Sequence, residues 1–260
     1  MKIATWNING VRARIENLKA WLEAASPDVV CLQEIKSPND AFPAEALEGS
    51  GYNLTIHGQK GFNGVAILSK RPPEDVLTGL PGDDGDEQAR YVEAAIPSDG
   101  GIVRVASIYL PNGNPIGTEK FSYKLAWMDR LIAHARDRML LEEPLVLTGD
   151  YNVIPEPQDA RYPENWVDDA LFQPESRSKF RELKSLGLTD ALRACHPEAG
   201  VYTFWDYQGG AWQKNNGIRI DHILLSPQAT DLLGGAGVDK DVRAWEKPSD
   251  HVPVWVDLQG

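Results

Sequence analysis

The sequence predicts an α/β protein with strands and helices mixed along the whole chain, and three observations lead there. Short apolar runs such as Val29-Val30-Cys31-Leu32 and Leu145-Val146-Leu147 have the length and β-branched character of buried strands. Other segments space their apolar residues three and four apart, the signature of one helix face. No fixed-period repeat, low-complexity tract or linker interrupts the mixture, so residues 1–260 are read as one domain. A chain of 260 residues is long enough for that domain to bury a sizeable core.

In chain order, Ile3 to Asn7 reads as a first strand, followed by the turn pair Asn9-Gly10. Ile15, Leu18, Leu22 and Ala25 fall on one face of a helix that Ser26-Pro27 ends. Asp28 to Gln33 is a second strand with Glu34 at its far end. Tyr52 to His57 and Val65 to Ser69 are strands around a Gly-rich connection, and Pro81 to Gln88 is an acidic, turn-rich loop. Strands resume at Tyr91 to Ile96 and Ile102 to Leu110, before the Pro, Asn and Gly of a loop from Pro111 to Gly117. Phe121, Leu125, Met128, Ile132, Ala135 and Met139 then predict a long helix whose stripe is core. The run Leu145 to Leu147 stops at Thr148-Gly149 and delivers Asp150 and Asn152. Gln158 to Gln173 is irregular. A helix from about Glu175 to Leu186 ends at Gly187, Thr189-Asp190 starts a short one, and Val201–Trp205, Ile218–Leu225 and Val252–Leu258 read as strands.

Hydrophobic content of 42% and charged content of 25% suit a water-soluble globular protein rather than a disordered chain. Without an apolar h-region near Met1 or a run of membrane-spanning length, no signal peptide or transmembrane helix is expected. Cys31, inside an apolar run, is expected to be a buried thiol, and two cysteines make no disulfide framework. A reducing, cytoplasmic setting follows as the default. The 26 Lys and Arg against 38 Asp and Glu give a net charge of −12, which argues against broad, sequence-independent adhesion to polyanions. A phosphate-bearing partner must therefore be met by a local basic patch or a bound cation.

Asn7, Glu34, Tyr109, Asp150, Asn152, Asp221 and the pair Asp250-His251 all stand at the ends of apolar runs or in turns beside them. Gly149-Asp150 alone reads as a turn with Asn152 as its cap. The recurrence points to a site, because ligands of α/β sheets collect outside strand ends. Hard oxygen donors without clustered Cys or His favour Mg²⁺ or Mn²⁺, and carboxylates, amides, one Tyr and one His suit metal-assisted phosphoester hydrolysis. Strand alternation sends Asp221 and His222 to opposite faces, so only one serves a given site; Asp221 is chosen and His222 is left as structural. Asp250 and His251 precede the last strand, where a loop can aim both side chains together, and a His oriented by a carboxylate is a sensible general base.

The segments TWNINGVRA, VVCLQEIK, IHGQKGFNGVAILSK, PGDD, IYLPNG, LTGDYNVIP, GLTDALR, YTFWDY, NNGIRIDHILLS and KPSDHVPVW run over nearly the whole chain. Together they resemble the exonuclease III branch of the endonuclease/exonuclease/phosphatase superfamily. The resemblance implies a four-layered α/β sandwich, two mixed β-sheets packed face to face and flanked by helices. It implies Glu34 as the principal metal ligand, with Asn7, Asp150, Asn152, Asp250 and His251 assisting around Mg²⁺. By the same resemblance Asp150 handles the proton of water or leaving group, and Asn152 and Tyr109 stabilise charge on the phosphate. His251, oriented by Asp221, contacts the phosphate or acts as the base; the choice between Asp150 and His251 stays open.

The implied activity is DNA repair: cutting duplex DNA 5′ to abasic sites and removing 3′-terminal nucleotides or 3′-blocking groups, by a monomer. The family's pocket for a baseless sugar falls on Phe204, Ile218 and Ile220, and Asn112 matches another site position. Phe204 replaces a Trp common in bacterial relatives, which puts the balance of endonuclease and exonuclease activity in question. Arg12, Arg14, Lys36, Lys60, Arg90, Lys120, Lys214 and Arg219 lie in or beside the matching loops and are candidates for a DNA-facing patch, although any one of them reads equally as a surface cation. The rival readings are another phosphoesterase of the superfamily and a catalytically silent nucleic-acid-binding relative. The branch-specific segments count against the first, and the full set of metal and proton-transfer residues against the second.

Overall fold

The computed structural model describes residues 1–259. Its strands are β1 (Lys2–Asn7), β2 (Val29–Gln33), β3 (Asn53–His57), β4 (Val65–Ser69), β5 (Glu74–Thr78), β6 (Tyr91–Ser98), β7 (Gly101–Tyr109), β8 (Leu145–Asp150), β9 (Thr189–Asp190), β10 (Asp221–Leu225), β11 (Leu233–Val238) and β12 (Val254–Leu258). Its α-helices are α1 (Ile15–Ala25), α2 (Glu119–Met139), α3 (Pro174–Ser185), α4 (Ala191–Cys195) and α5 (Pro227–Thr230). The strands form two six-stranded sheets, in the orders β11-β12-β1-β2-β4-β3 and β5-β6-β7-β8-β10-β9. Both are mixed, with parallel pairs β1–β2 and β7–β8 at their centres and antiparallel neighbours outside.

The alternation of side chains along the strands sets the layers. Ile3, Val29, Cys31 and Ile67 of the first sheet meet Val92, Val105, Val146 and Ile223 of the second in one buried cluster between them. Each such Val or Ile stabilises the fold by about 1.5–3 kcal/mol. The opposite parity faces outward: Trp6, Val30 and Leu32 pack on Leu18, Trp21 and Leu22 of α1, while Ile108, Leu147 and Leu224 pack on α2 and α3. The result is the four-layered sandwich of two mixed sheets between helices. Among the described residues no helix is long and apolar enough to cross a membrane. Cys31 is buried, Cys195 exposed, and both are free thiols.

Three expectations change. The edge strands β5 and β11 were not legible: EDVLT is largely exposed and LGGAGV lacks alternation. Residues 201–205 are not a strand; Phe204 alone makes isolated bridges, to Ile218 and His251. Finally, the strand expected from Ile218 begins only at Asp221, whereas the short helix expected from Thr189-Asp190 is present as α4, capped by the Asp190 carboxylate accepting from the Arg193 N–H.

Gly149 is required by close approach. A Cβ there would fall on the Ile108 carbonyl of the neighbouring β7 backbone, which cannot yield without breaking the central parallel pair. Gly149→Ala is expected to destabilise the protein by about 3 kcal/mol and lower Tm by roughly 10 °C in thermal unfolding. A Tm within a degree or two of wild type would show that the β7–β8 pair can spread.

Candidate active site

Asn7, Tyr109, Asp150 and Asp221 share one property: each is an inward-facing residue at the same end of the sandwich. Asn7 closes β1 opposite Gln33, with Glu34 following directly, and Asp150 closes β8 with Tyr109 and Asp221 as its partners across the sheet. His251 lies just before β12 and reaches the same end. Beneath them the inward positions are polar: Gln33 Nε2 donates to Thr5 Oγ1 at 2.9 Å and Ser107 Oγ at 3.0 Å. Nearby the Thr148 hydroxyl is buried without a partner. The apolar core thus gives way to polar groups one layer before the site.

Asn7 joins the sheets. Its Nδ2 donates to Glu34 Oε1 and to Asp150 Oδ2, each at 2.9 Å, while its Oδ1 accepts from the Asn9 N–H at 3.1 Å. Opposite, His251 Nδ1 donates to Asp221 Oδ2 at 2.8 Å, and its Nε2 stands 3.7 Å from Asp150 Oδ2. Donor atoms of Glu34, Asp150 and His251 all lie within 4.8 Å of one another. Asp150 Oδ1 accepts from the Asn152 N–H at 2.9 Å. Asn152 Nδ2 donates to the Leu110 carbonyl at 2.9 Å, and its Oδ1 accepts from Asn112 Nδ2 at 3.2 Å. Glu34 (φ 48°) and Asn152 (φ 47°) both occupy left-handed backbone, a conformation held by its surroundings at functional sites.

Packing of like charges sets the electrostatics. Burial, reinforced by Asp221, pushes the Asp150 carboxyl up to about 7 against the pull of His251 and Asn7. Burial alone would lower His251, but Asp221, Asp150 and Asp250 outweigh it and raise the imidazolium to about 10. Glu34 is pushed up by burial too, yet the Asn7 bond and the Lys36 ammonium at 3.0 Å bring it below the ordinary range. Tyr109 is raised well above a free phenol by burial and by the Glu34 and Asp150 charges, so its hydroxyl keeps its proton.

The cavity at this end holds about 350 Å³ and is lined by Glu34, Tyr109, Asn112, Asp150, Asn152 and His251, with Phe204 and Ile220 at an apolar corner. Trp166, Asp169 and Leu171 also line it, and no periodic pattern marks them because they sit on an irregular segment between β8 and α3. Lys124 is a further residue that sequence reasoning passed over. Fully buried on α2, it lies behind the Asn112 and Asn152 backbones, and burial pushes its ammonium down to about 7.

Several expected site residues stand elsewhere. Arg219 is the clearest correction: it is 1% exposed, its guanidinium bound to Asp159 and Asp190, so no face is left for a phosphate. Ile218 is likewise buried, under the apolar corner rather than on its surface. Asn7 is at the site, where its nitrogen bridges the Glu34 and Asp150 carboxylates expected around the metal. Asp250 lines the cavity and accepts from Asn9 Nδ2 at 3.1 Å, outside the Glu34, Asp150 and His251 cluster, and Asn152 turns its oxygen to Asn112 Nδ2 at 3.2 Å. His222 is structural, with Nε2 on the Val153 carbonyl at 2.9 Å. Lys60 and Lys120 are exposed, as are Arg12 and Lys214, whose head groups donate to the Ala41 and Gly209 carbonyls, while Lys36 and Arg90 are engaged with side chains of the protein. The carboxylates of Glu34 and Asp150, held side by side with a ring nitrogen of His251 within 4.8 Å, are donors that fit a hard divalent cation.

The Asp150 shift fixes the sign of a stability change. A carboxyl whose folded pKa, about 7, stands above its ordinary 3.8 favours folding when protonated. That contribution is complete below about pH 4 and is lost as pH rises through about 7. In chelator, Asp150→Asn is therefore expected to unfold near the wild-type Tm at pH 4 and roughly 5 °C above it at pH 8. A stabilisation equal at both pH values, or none, would show that Asp150 ionises at no cost.

The family model described as "Endonuclease/Exonuclease/phosphatase family" matches residues 4–251. Exodeoxyribonuclease III of Haemophilus influenzae is 36% identical over 267 residues, covering 100% of both chains. Two solved structures also cover 100% of both chains: a 3′-5′ exonuclease from Neisseria meningitidis (TM-score 0.95, 42% identity) and an AP endonuclease from Archaeoglobus fulgidus (TM-score 0.94, 37% identity). With the fold, the clustered carboxylates and these full-length likenesses in agreement, the chain belongs to the endonuclease/exonuclease/phosphatase family, in its exonuclease III branch, and is a hydrolytic phosphodiesterase.

Proposed function

We propose that the protein hydrolyses phosphodiester bonds of duplex DNA with Mg²⁺, cutting 5′ to abasic sites and removing 3′-terminal nucleotides or 3′-blocking groups. The observation that carries this is the Asn7-bridged pair Glu34–Asp150, facing a His251 that Asp221 holds in place. Relatives named as an exodeoxyribonuclease, a 3′-5′ exonuclease and an AP endonuclease support the substrate class.

Glu34 would be the principal holder of the Mg²⁺, with Asp150 beside it and Mn²⁺ as a substitute, and the ion would supply charge stabilisation to the phosphoryl oxygen. Asp150, bonded to the Asn7 amide and the Asn152 N–H and 3.7 Å from His251 Nε2, is the carboxylate placed to take the proton of the attacking water. His251 is a poor base: held protonated by three carboxylates, it offers a cation to the phosphate. Asn112, Asn152 and the protonated Tyr109 hydroxyl donate to oxygens on which charge builds. Phe204 and Ile220, with Trp166 and Leu171, give a sugar without its base an apolar surface to turn out against. Outside that pocket the exposed cations Arg12, Lys60, Lys120 and Lys214 supply a few phosphate contacts on an acidic protein.

The test is a labelled duplex carrying one tetrahydrofuran abasic analogue. A single nick 5′ to the analogue is expected with Mg²⁺, lost in EDTA and slowed about 100-fold or more by Asp150→Asn. Stepwise 3′ shortening alone would restrict the activity to exonuclease, and no cleavage would overturn the reading. The patch is checked separately: log affinity against log salt is expected to fall with a slope no steeper than about −4, and a slope near −8 would mean many more phosphates are touched.

A further inference from the structure

Lys124 is a buried cation without a carboxylate as ion-pair partner, as is Arg243, which donates to the Trp205 carbonyl. Arg104 and Arg219 each have carboxylates as ion-pair partners. Lys124, at 0% exposure, instead donates to two main-chain carbonyls: Asn112 O at 3.0 Å and Asn152 O at 2.6 Å. An apolar side chain would pack this helix position at far lower desolvation cost. Room has nevertheless been made for the lysine: a Cβ on Gly113 would come within 2.6 Å of Lys124 Cδ.

The two carbonyls belong to the loops that follow β7 and β8, and the residues that own them are the two whose side-chain amides meet at the cavity wall. Asn152 also sits in left-handed backbone, at φ 47°, which its neighbours must hold. We propose that Lys124 is a positioning residue, fixing the backbones of Asn112 and Asn152 so that their amides face the scissile phosphate as one unit. The inference rests on the phosphodiesterase reading of the cavity. Two N–H groups suffice for the two bonds, so the role is independent of the protonation state of the amine.

A double-mutant cycle tests this with Lys124→Met, Asn152→Ala and the double variant, measured for kcat and KM on the abasic duplex and for Tm. Asn152→Ala is expected to lower kcat about 100-fold, as loss of a transition-state donor does. Lys124→Met is expected to lower kcat about 10-fold with KM within about 2-fold, and the double variant to be no slower than Asn152→Ala. Lys124→Gln, which keeps a donor, is expected to lose less kcat than Lys124→Met, and Lys124→Ala runs the same cycle if the Met variant does not fold. Multiplying losses, or an unchanged kcat in the Lys124 variant, would overturn the positioning role while leaving the site reading intact. A fully active Asn152→Ala would instead remove that reading, and the inference with it.

Discussion

The contact on which the site depends is the Asn7 amide. It stands on the first sheet and donates to Glu34 beside it and to Asp150 on the second sheet, 2.9 Å in each case. Two carboxylates that repel are thereby held at one point where the sheets meet. Sheet packing fixes how far apart the β1 and β8 ends lie, so every catalytic distance inherits the spacing of the apolar layer below. A displacement of one sheet against the other would break the bridge before it altered either carboxylate.

Maintaining such a point costs stability, and the costs are visible nearby. Asp150 and Asp221 face each other across one ladder, both buried, and their repulsion is offset by the His251 imidazolium and, at Asp150, by the Asn7 amide and the Asn152 N–H. Left-handed Glu34 and Asn152 add backbone strain, and the Thr148 hydroxyl has no partner. Elsewhere the molecule compensates with well-paired charge: Glu93 is shared by Arg104, His134 and Arg138, and Asp159 by Arg193 and Arg219. The second cluster ties the irregular excursion after β8 to the strand that carries Asp221, which places the apolar corner of the cavity beside the carboxylates.

The helices and central strands were legible because local pattern and tertiary burial agree there. Phe121 to Met139 repeats at helical spacing and β2 is apolar throughout, so each element announces itself. The edge strands β5 and β11 were not legible, since a strand with one neighbour and a wet or glycine-rich face has no reason to alternate. Val201 to Trp205 misled in the other direction: its β-like residues are apolar because they pack around Trp205 and Val252, not because they pair in a ladder.

By itself the sequence determined the two-period pattern of the chain and the polar residues that end its strands, because both follow from covalent order and side-chain chemistry. It named Glu34, Tyr109, Asp150, Asn152, Asp221 and His251, all of which lie around one cavity or hold a residue that does. Only the tertiary structure decided which way each group faces and what it meets. Arg219 directly precedes the cavity residue Ile220 in sequence yet is enclosed by Asp159 and Asp190, and Lys124 lies on a core helix yet reaches the site from behind. Burial and charge partners are properties of neighbours distant in sequence, and they set the pKa of Asp150 and His251 far from their ordinary values.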